Sequence, residues 1–335
     1  MVLAGPGSGK TLTIAKRIEY LITEYKVRPE EILVITFTKY AANEMKERFR
    51  KVMGQSGIPV TFGTFHGIYY GILKWAYRLD QRNILSDREK YELLGQAAAR
   101  MEWEAAEYAG EENEYLQELA AEIGNVKNHC RDIGEYKSRR YDTRRFRELY
   151  LAYEEEKKKL RKIDFEDMIL YCRELFLKRP DILKKWQKKF RYILVDEFQD
   201  VNQAQYDVVR MLAAPEDNLF VVGDDDQSVY GFRGAKPGIM LDFRKDYKEA
   251  KQILLDINYR SPAYVVDGAL RVIDHNQERF DKKITACKGK GETIHIQEVK
   301  DPVEEGEYVL EKIREYYEKE IPYDEMAVLY RTSLE

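Results

Sequence analysis

The chain has 335 residues, of which 44% are hydrophobic and 35% charged, and its 56 basic and 60 acidic side chains give a net charge of −4. That length exceeds one ordinary core and sets an expectation of two or three domains. The charge balance excludes a wholesale electrostatic case for nucleic acid, and Cys130, Cys172 and Cys287, with no CxxC pair, argue against zinc or iron–sulfur chemistry.

In chain order, residues 4–11 read AGPGSGKT, and Leu12, Ile14, Ala15, Ile18, Leu21 and Ile22 then recur at helical spacing. Only three residues precede this turn, too few for a strand of their own. ILVITFT at 32–38 reads as a buried parallel strand, a helix with Ala41, Met45 and Phe49 on one face follows, and VTFGT at 60–64 reads as the next strand. Between about 79 and 186 the sequence turns charged, helical and strand-poor, including the amphipathic DFEDMILYCRELF at 164–176, which predicts a helical insertion. Charge segregates there: residues 102–126 hold eight glutamates and no Lys or Arg, whereas 131–147 hold seven basic residues against three acidic ones. Both read as solvated helix faces. Strands resume in YILVDE (192–197), NLFVVGD (218–224) and QILLD (252–256). Beyond these come a helix near 262–276, a strand at 292–299, a helix near 304–319 and a strand at 326–331. The alternation predicts an α/β fold with a parallel sheet. No apolar run is long enough for a membrane span and the N-terminus shows no secretory pattern, so the expected location is cytoplasmic with no membrane partner.

AGPGSGKT matches the phosphate-loop pattern with Ala4 in the leading small position. Gly5, Gly7 and Gly9, with Pro6 and Ser8 between them, let the backbone turn its N–H groups toward phosphates, with a helix N-terminus behind. Lys10 would meet the β and γ phosphates and Thr11 would place its hydroxyl on Mg²⁺. Downstream, the strand in YILVDE delivers Asp196 and Glu197 at its C-terminal edge, where ligands bind in open α/β sheets. Asp196 would hold Mg²⁺ through its water shell, and Glu197 would orient and deprotonate the attacking water. Phosphate chemistry of this kind leaves kinases, switches, pumps and motors all open.

The rest of the text discriminates among them. DEFQD (196–200), VVGDDDQSVYGFRGA (221–235) and LLDINYRS (254–261), with ITFTKYAANEM (35–45) and TFGTFHG (61–67), resemble in order and spacing the UvrD/PcrA/Rep family of superfamily-one DNA helicases. The resemblance spans nearly the whole chain apart from the helical insertion. It implies a P-loop NTPase of RecA-like fold, with a first ATPase domain at 1–78 and 187–256, the insertion at 79–186, and the first part of a second RecA-like domain at 257–335. It implies that Gln227 senses the γ phosphate, Arg260 reaches it from the second domain, and Tyr259 stacks on adenine. It also implies that Phe37, Thr64, Phe65, His66, Tyr230, Phe232 and Arg233 line a channel for single-stranded DNA, where aromatic faces stack on any base.

There are departures: Leu12 stands where many relatives have Arg, Lys39-Tyr40 where Asn-Lys is usual, and Phe232 where Trp is frequent. The expected activity is ATP- and Mg²⁺-dependent 3′ to 5′ translocation and unwinding of DNA in repair or replication, by a chain monomeric in isolation. Relatives carry further sequence on both sides, so the chain reads as a motor shortened at both ends, with weak activity. Two alternatives are a nucleotide- and DNA-binding regulatory module that does not translocate, and the motor of a RecB/AddA-like helicase–nuclease.

Overall fold

The computed structural model describes residues 1–101, 103, 112–231 and 234–330. It divides into two compact units, 1–290 and 291–335.

The first unit is built on a six-stranded sheet: β1 (Val2–Ala4), β2 (Ile32–Thr36), β3 (Thr61–Thr64), β4 (Tyr192–Val195), β5 (Leu219–Gly223) and β6 (Ile253–Leu255) in the order β3-β2-β4-β5-β1-β6. Every pairing in it is parallel. A parallel sheet is covered on both faces, and the pleat sorts each strand between two cores. Leu3, Leu33, Ile35, Ile193, Val195 and Val221 enter one core; Val2, Ala4, Ile32, Val34, Leu194 and Val222 enter the other. Helices α1 (Lys10–Thr23) and α2 (Lys39–Met53) cover the second face through Ile14, Ile18, Met45 and Phe49. Helix α3 (Phe65–Tyr77) packs on the first through Tyr69, Ile72 and Leu73.

The opening residues correct the sequence reading. Val2–Ala4, expected to be too short for a strand, form β1, with β5 on one side and β6 on the other. Three residues suffice because both edges are hydrogen-bonded and all three side chains are buried. The N-terminal ammonium donates to Lys251 O at 2.8 Å, which ties the start of the strand to β6's approach.

Between α3 and β4 the chain is helical: α4 (Asp87–Arg100), α5 (Glu112–Asn128), α6 (Thr143–Lys159), α7 (Phe165–Lys178) and α8 (Pro180–Lys189). Helices α4 to α6 enclose a core of their own around Leu94, Leu119, Ile123, Leu149 and Tyr153. Helix α7, although it lies in the same stretch of sequence, buries Met168, Ile169, Cys172 and Phe176 in the sheet's first core. A buried ion network joins the two. Lys127 of α5 reaches Asp164 and Asp167 at 2.7 Å, and Lys157 of α6 meets the same two carboxylates. Burial opposes ionisation of Asp164, but Lys127 and Lys157 together hold it well below the usual carboxylate range.

Helix α9 (Gln203–Ala213) and the single turns α10 (Gly238–Leu241) and α11 (Phe243–Asp246) complete the first core. A short parallel pair follows, β7 (Ile257–Asn258) with β8 (Thr285–Ala286), with α12 (Ala263–Ile273) between them in sequence.

The second unit contains α13 (Pro302–Glu318), whose first turn is capped by Asp301 accepting from the N–H groups of Val303 and Glu304. The strands expected at 292–299 and 326–331 do not form among the described residues. Their apolar patterns find no ladder partner, and Ile296 and Leu329 stand 93% and 94% exposed. A strand is a paired object, and pattern alone does not supply the pair.

Candidate nucleotide-binding site

Because all six strands of the sheet run parallel, their C-terminal ends share one edge, where a ligand site is expected in this architecture. β1 ends at the glycine-rich loop, β4 at Asp196 and β5 at Asp224.

The loop's shape follows from its glycines. Gly7 and Gly9 adopt φ of 62° and 90°, the left-handed region that costs a side-chain-bearing residue energy. Gly7 has a second reason: a Cβ there would lie 2.6 Å from Arg260 Cβ. The Ser8 hydroxyl donates to Gly5 O at 2.7 Å and closes the turn. Helix α1 then starts after Gly9, its N-cap, with no side-chain cap and no acidic residue in its first turn. Its free N–H groups and positive dipole end therefore lack an internal anion, which is the condition for binding an external phosphate.

Three predicted groups meet over this loop. Lys10 Nζ lies 3.3 Å from Glu197 Oε2 and donates to Gln227 Oε1 at 3.2 Å. Glu197 is placed by a left-handed residue conformation, φ 48°, two residues past the end of β4. Asp196, next to it, is 5% exposed, and its Oδ1 has no hydrogen-bond partner. Burial, reinforced by the Glu197 charge, raises its pKa to about 7. Asp200 is pushed up to about 6 by burial and then by Glu197. An orphaned buried carboxylate oxygen at the strand end, with Thr11 in the first turn of α1 and a second acid beside it, fits a hard divalent cation such as Mg²⁺. Among the described residues, the acids with metal-ligand spacing are Glu154, Asp164 and Asp167, and they do not fit such a cation: the ammonium groups of Lys127 and Lys157 already fill that cluster.

Two supporting residues escaped the sequence reading. Gln199 donates to Glu197 Oε2 at 3.0 Å and accepts from the Asp224 N–H at 2.9 Å, so it joins the ends of β4 and β5. Asn258 is buried, and its Oδ1 accepts from the N–H groups of Arg260 and Ser261, both at 2.8 Å. This sets the backbone of Arg260 beside the loop, where the Tyr259 N–H also donates to Gly7 O at 3.0 Å. Tyr259 and Leu12 are 57% and 46% exposed, Pro6 is exposed, and Ala4 is buried within β1. A polar residue inside a motif already assigned to chemistry gives no separate signal of such a bracing role.

The residues expected along a single-strand channel divide. Thr64 caps α3 by accepting from the Gly67 N–H, and Phe37 is half-buried. His66 meets Phe165 edge to face at 5.6 Å, and burial lowers its pKa against the pull of Glu166. Tyr230 is 38% exposed. Phe65 departs from the expectation: at 1% exposure it packs in the core against Phe37 and Tyr69, with its face covered, because the first turn of α3 points it under the sheet edge. Phe232 and Arg233 lie outside the described residues.

Comparison with known proteins places these features in company. Residues 1–248 match the family model for the UvrD/REP helicase N-terminal domain, and residues 253–335 match that for the UvrD-like helicase C-terminal domain. YjcD of Bacillus subtilis is 37% identical over 99% of this chain and 44% of its own length. The ATP-dependent DNA helicase PcrA of Staphylococcus aureus is 36% identical over 99% of this chain and 46% of its own. PcrA of Leuconostoc citreum is 36% identical over 99% and 45%. The chain thus spans a little under half the length of the curated relatives it matches.

Proposed function

The chain belongs to the UvrD/REP helicase family, and from that premise we propose that it carries the motor of an ATP-driven single-stranded DNA translocase and helicase. The observation that carries the reading is the meeting of Lys10, Glu197 and Gln227 over the glycine-rich loop, beside the orphaned oxygen of Asp196.

In this reading the loop's N–H groups and Lys10 bind the triphosphate, and Thr11 and Asp196 hold Mg²⁺, which would neutralise phosphate charge. Glu197 orients the attacking water and accepts its proton, and becomes free to do so when nucleotide draws the Lys10 ammonium away. Gln227 is the switch, since an amide both donates and accepts and so can answer to phosphate or to water. Arg260 adds fixed positive charge to the transition state, and the exposed Tyr259 ring offers a face to adenine. On the same sheet edge, Phe37, Thr64, His66 and Tyr230 supply stacking and polar contacts for single-stranded DNA, with Phe65 supporting Phe37 from beneath. Movement 3′ to 5′, a role in repair or replication and a cytoplasmic location belong to this proposal. Among the described residues, no helix is long and apolar enough to cross a membrane.

The test is Mg²⁺-dependent ATP hydrolysis by this chain, with and without a single-stranded oligonucleotide, using Glu197→Gln as the blank. Stimulation by DNA that the substitution reduces by about 100-fold or more, the scale of a lost general base, is expected. Hydrolysis indifferent to both DNA and Glu197 would contradict the reading.

A further inference from the structure

Behind Gln227 lies a buried cation that the proposed chemistry leaves unused. The Lys282 side chain has no exposed surface, and its ammonium touches three consecutive carboxylates: Asp224 Oδ1 at 2.6 Å, Asp225 Oδ1, and Asp226 Oδ2 at 2.9 Å. Arg279 adds a forked pair to Asp226 at 2.8 Å, and the Phe280 N–H donates to Asp225 Oδ2 at 2.8 Å. Segment 279–282 is therefore bolted onto the loop that follows β5.

The connection runs on toward the phosphate loop. The second oxygen of Asp224 accepts from Gln227 Nε2 at 2.7 Å, and Gln227 Oε1 accepts from Lys10 Nζ at 3.2 Å. The chemistry fixes which way the amide faces: a carboxylate only accepts and an ammonium only donates, so the NH₂ must face Asp224 and the carbonyl must face Lys10. Asp224 can hold that amide only while its carboxylate stays in place. Three adjacent carboxylates repel one another, and Lys282 is the group that touches all of them.

We propose that Lys282 is a positioning residue for nucleotide sensing, acting through Asp224 to orient the Gln227 amide toward the terminal phosphate. The proposal rests on the motor reading given above and deepens it. Segment 279–282 thereby becomes part of the sensing apparatus, although it meets no phosphate itself. A displacement of this segment would release Asp224 and let the amide turn.

The experiment titrates the chain with fluorescent ADP and with a fluorescent β,γ-imido analogue of ATP, and reads the ratio of the two affinities. The wild type should prefer the triphosphate. Lys282→Met should leave ADP affinity within about twofold and shrink the preference by roughly fivefold to tenfold, the worth of one net hydrogen bond. Gln227→Ala should shrink it equally, and the double variant no further, because both act on one contact. Lys282→Arg, which keeps the charge, should recover part of the loss. If Lys282→Met does not fold, Asp224→Ala, which removes the acceptor and relieves the crowding of acids, should give the same loss.

An unchanged preference in folded Lys282→Met or Asp224→Ala would overturn the proposal, as would losses that add in the double variant. A wild type that binds both nucleotides equally would overturn it too. A wild type that binds neither removes the motor reading itself, and this proposal with it; discrimination that survives Lys282→Met removes this proposal alone.

Discussion

A buried carboxylate with an unpaired oxygen lowers the stability of a fold when it ionises, and Asp196 is such a group. Unfolded, it releases its proton near 3.8; folded, it holds it to about 7. Between those values the folded state binds more protons, so stability falls as pH rises, and above about 7 the full cost is present. In chelator-treated protein, Asp196→Asn should therefore raise stability at about pH 8 by on the order of 4 kcal/mol, with the gap closing as pH falls toward 3.8. Melting curves across that range check it, and a gap independent of pH would refute it. Such a residue keeps its place despite that cost when a cation or substrate uses it. Lys10, Asp196, Glu197 and Gln227 were legible in the sequence because each sits in a motif whose spacing encodes the turn that presents it. Gln199 and Lys282 were not, because the Asp224 they brace lies 25 and 58 residues away; Asn258 was not, because its local caps on Arg260 and Ser261 sit inside a motif already assigned to other chemistry. The misplacement of Phe65 has the same origin: TFGTFHG specifies a strand, a cap and a helix start, but not which of two neighbouring aromatics the helix turns inward.

At the scale of elements, the parallel sheet was readable from its apolar runs, since strands buried on both faces leave continuous hydrophobic text. β1 was missed because its evidence lies in its neighbours rather than in Val2–Ala4. Conversely, the runs at 292–299 and 326–331 carry strand-like text without a ladder among the described residues. The helical stretch shows a finer division, with α4 to α6 around one core and α7 in another. Lys127, 1% exposed at its side chain, and its partners Asp164 and Asp167 join the two. Removing one member of a buried ion network leaves uncompensated charge, so Lys127→Met should destabilise the protein by about 3–5 kcal/mol. Urea unfolding measures this directly. A change below about 1 kcal/mol would show that the network relaxes around the loss and does not brace the two cores against each other.

At the scale of the whole molecule, the site lies where several chain segments converge: residues 4–11 from the start of the chain, 196–200 and 224–227 from the sheet, and 258–260 and 279–282 from beyond it. A site assembled from segments so far apart in sequence changes when any of them moves. In the proposed motor, such a site is what would let phosphate chemistry be turned into motion along a strand. In that motor, nucleotide state and DNA grip are coupled, and by linkage each must change the affinity for the other. The anisotropy of a labelled single-stranded oligonucleotide, titrated with this chain in Mg²⁺ alone, with ADP and with a non-hydrolysable ATP analogue, reports that coupling as a ratio of affinities. Affinities should differ between the ADP and triphosphate states by about fivefold or more, a difference that Gln227→Ala reduces. Equal affinity in all three conditions would contradict the coupling.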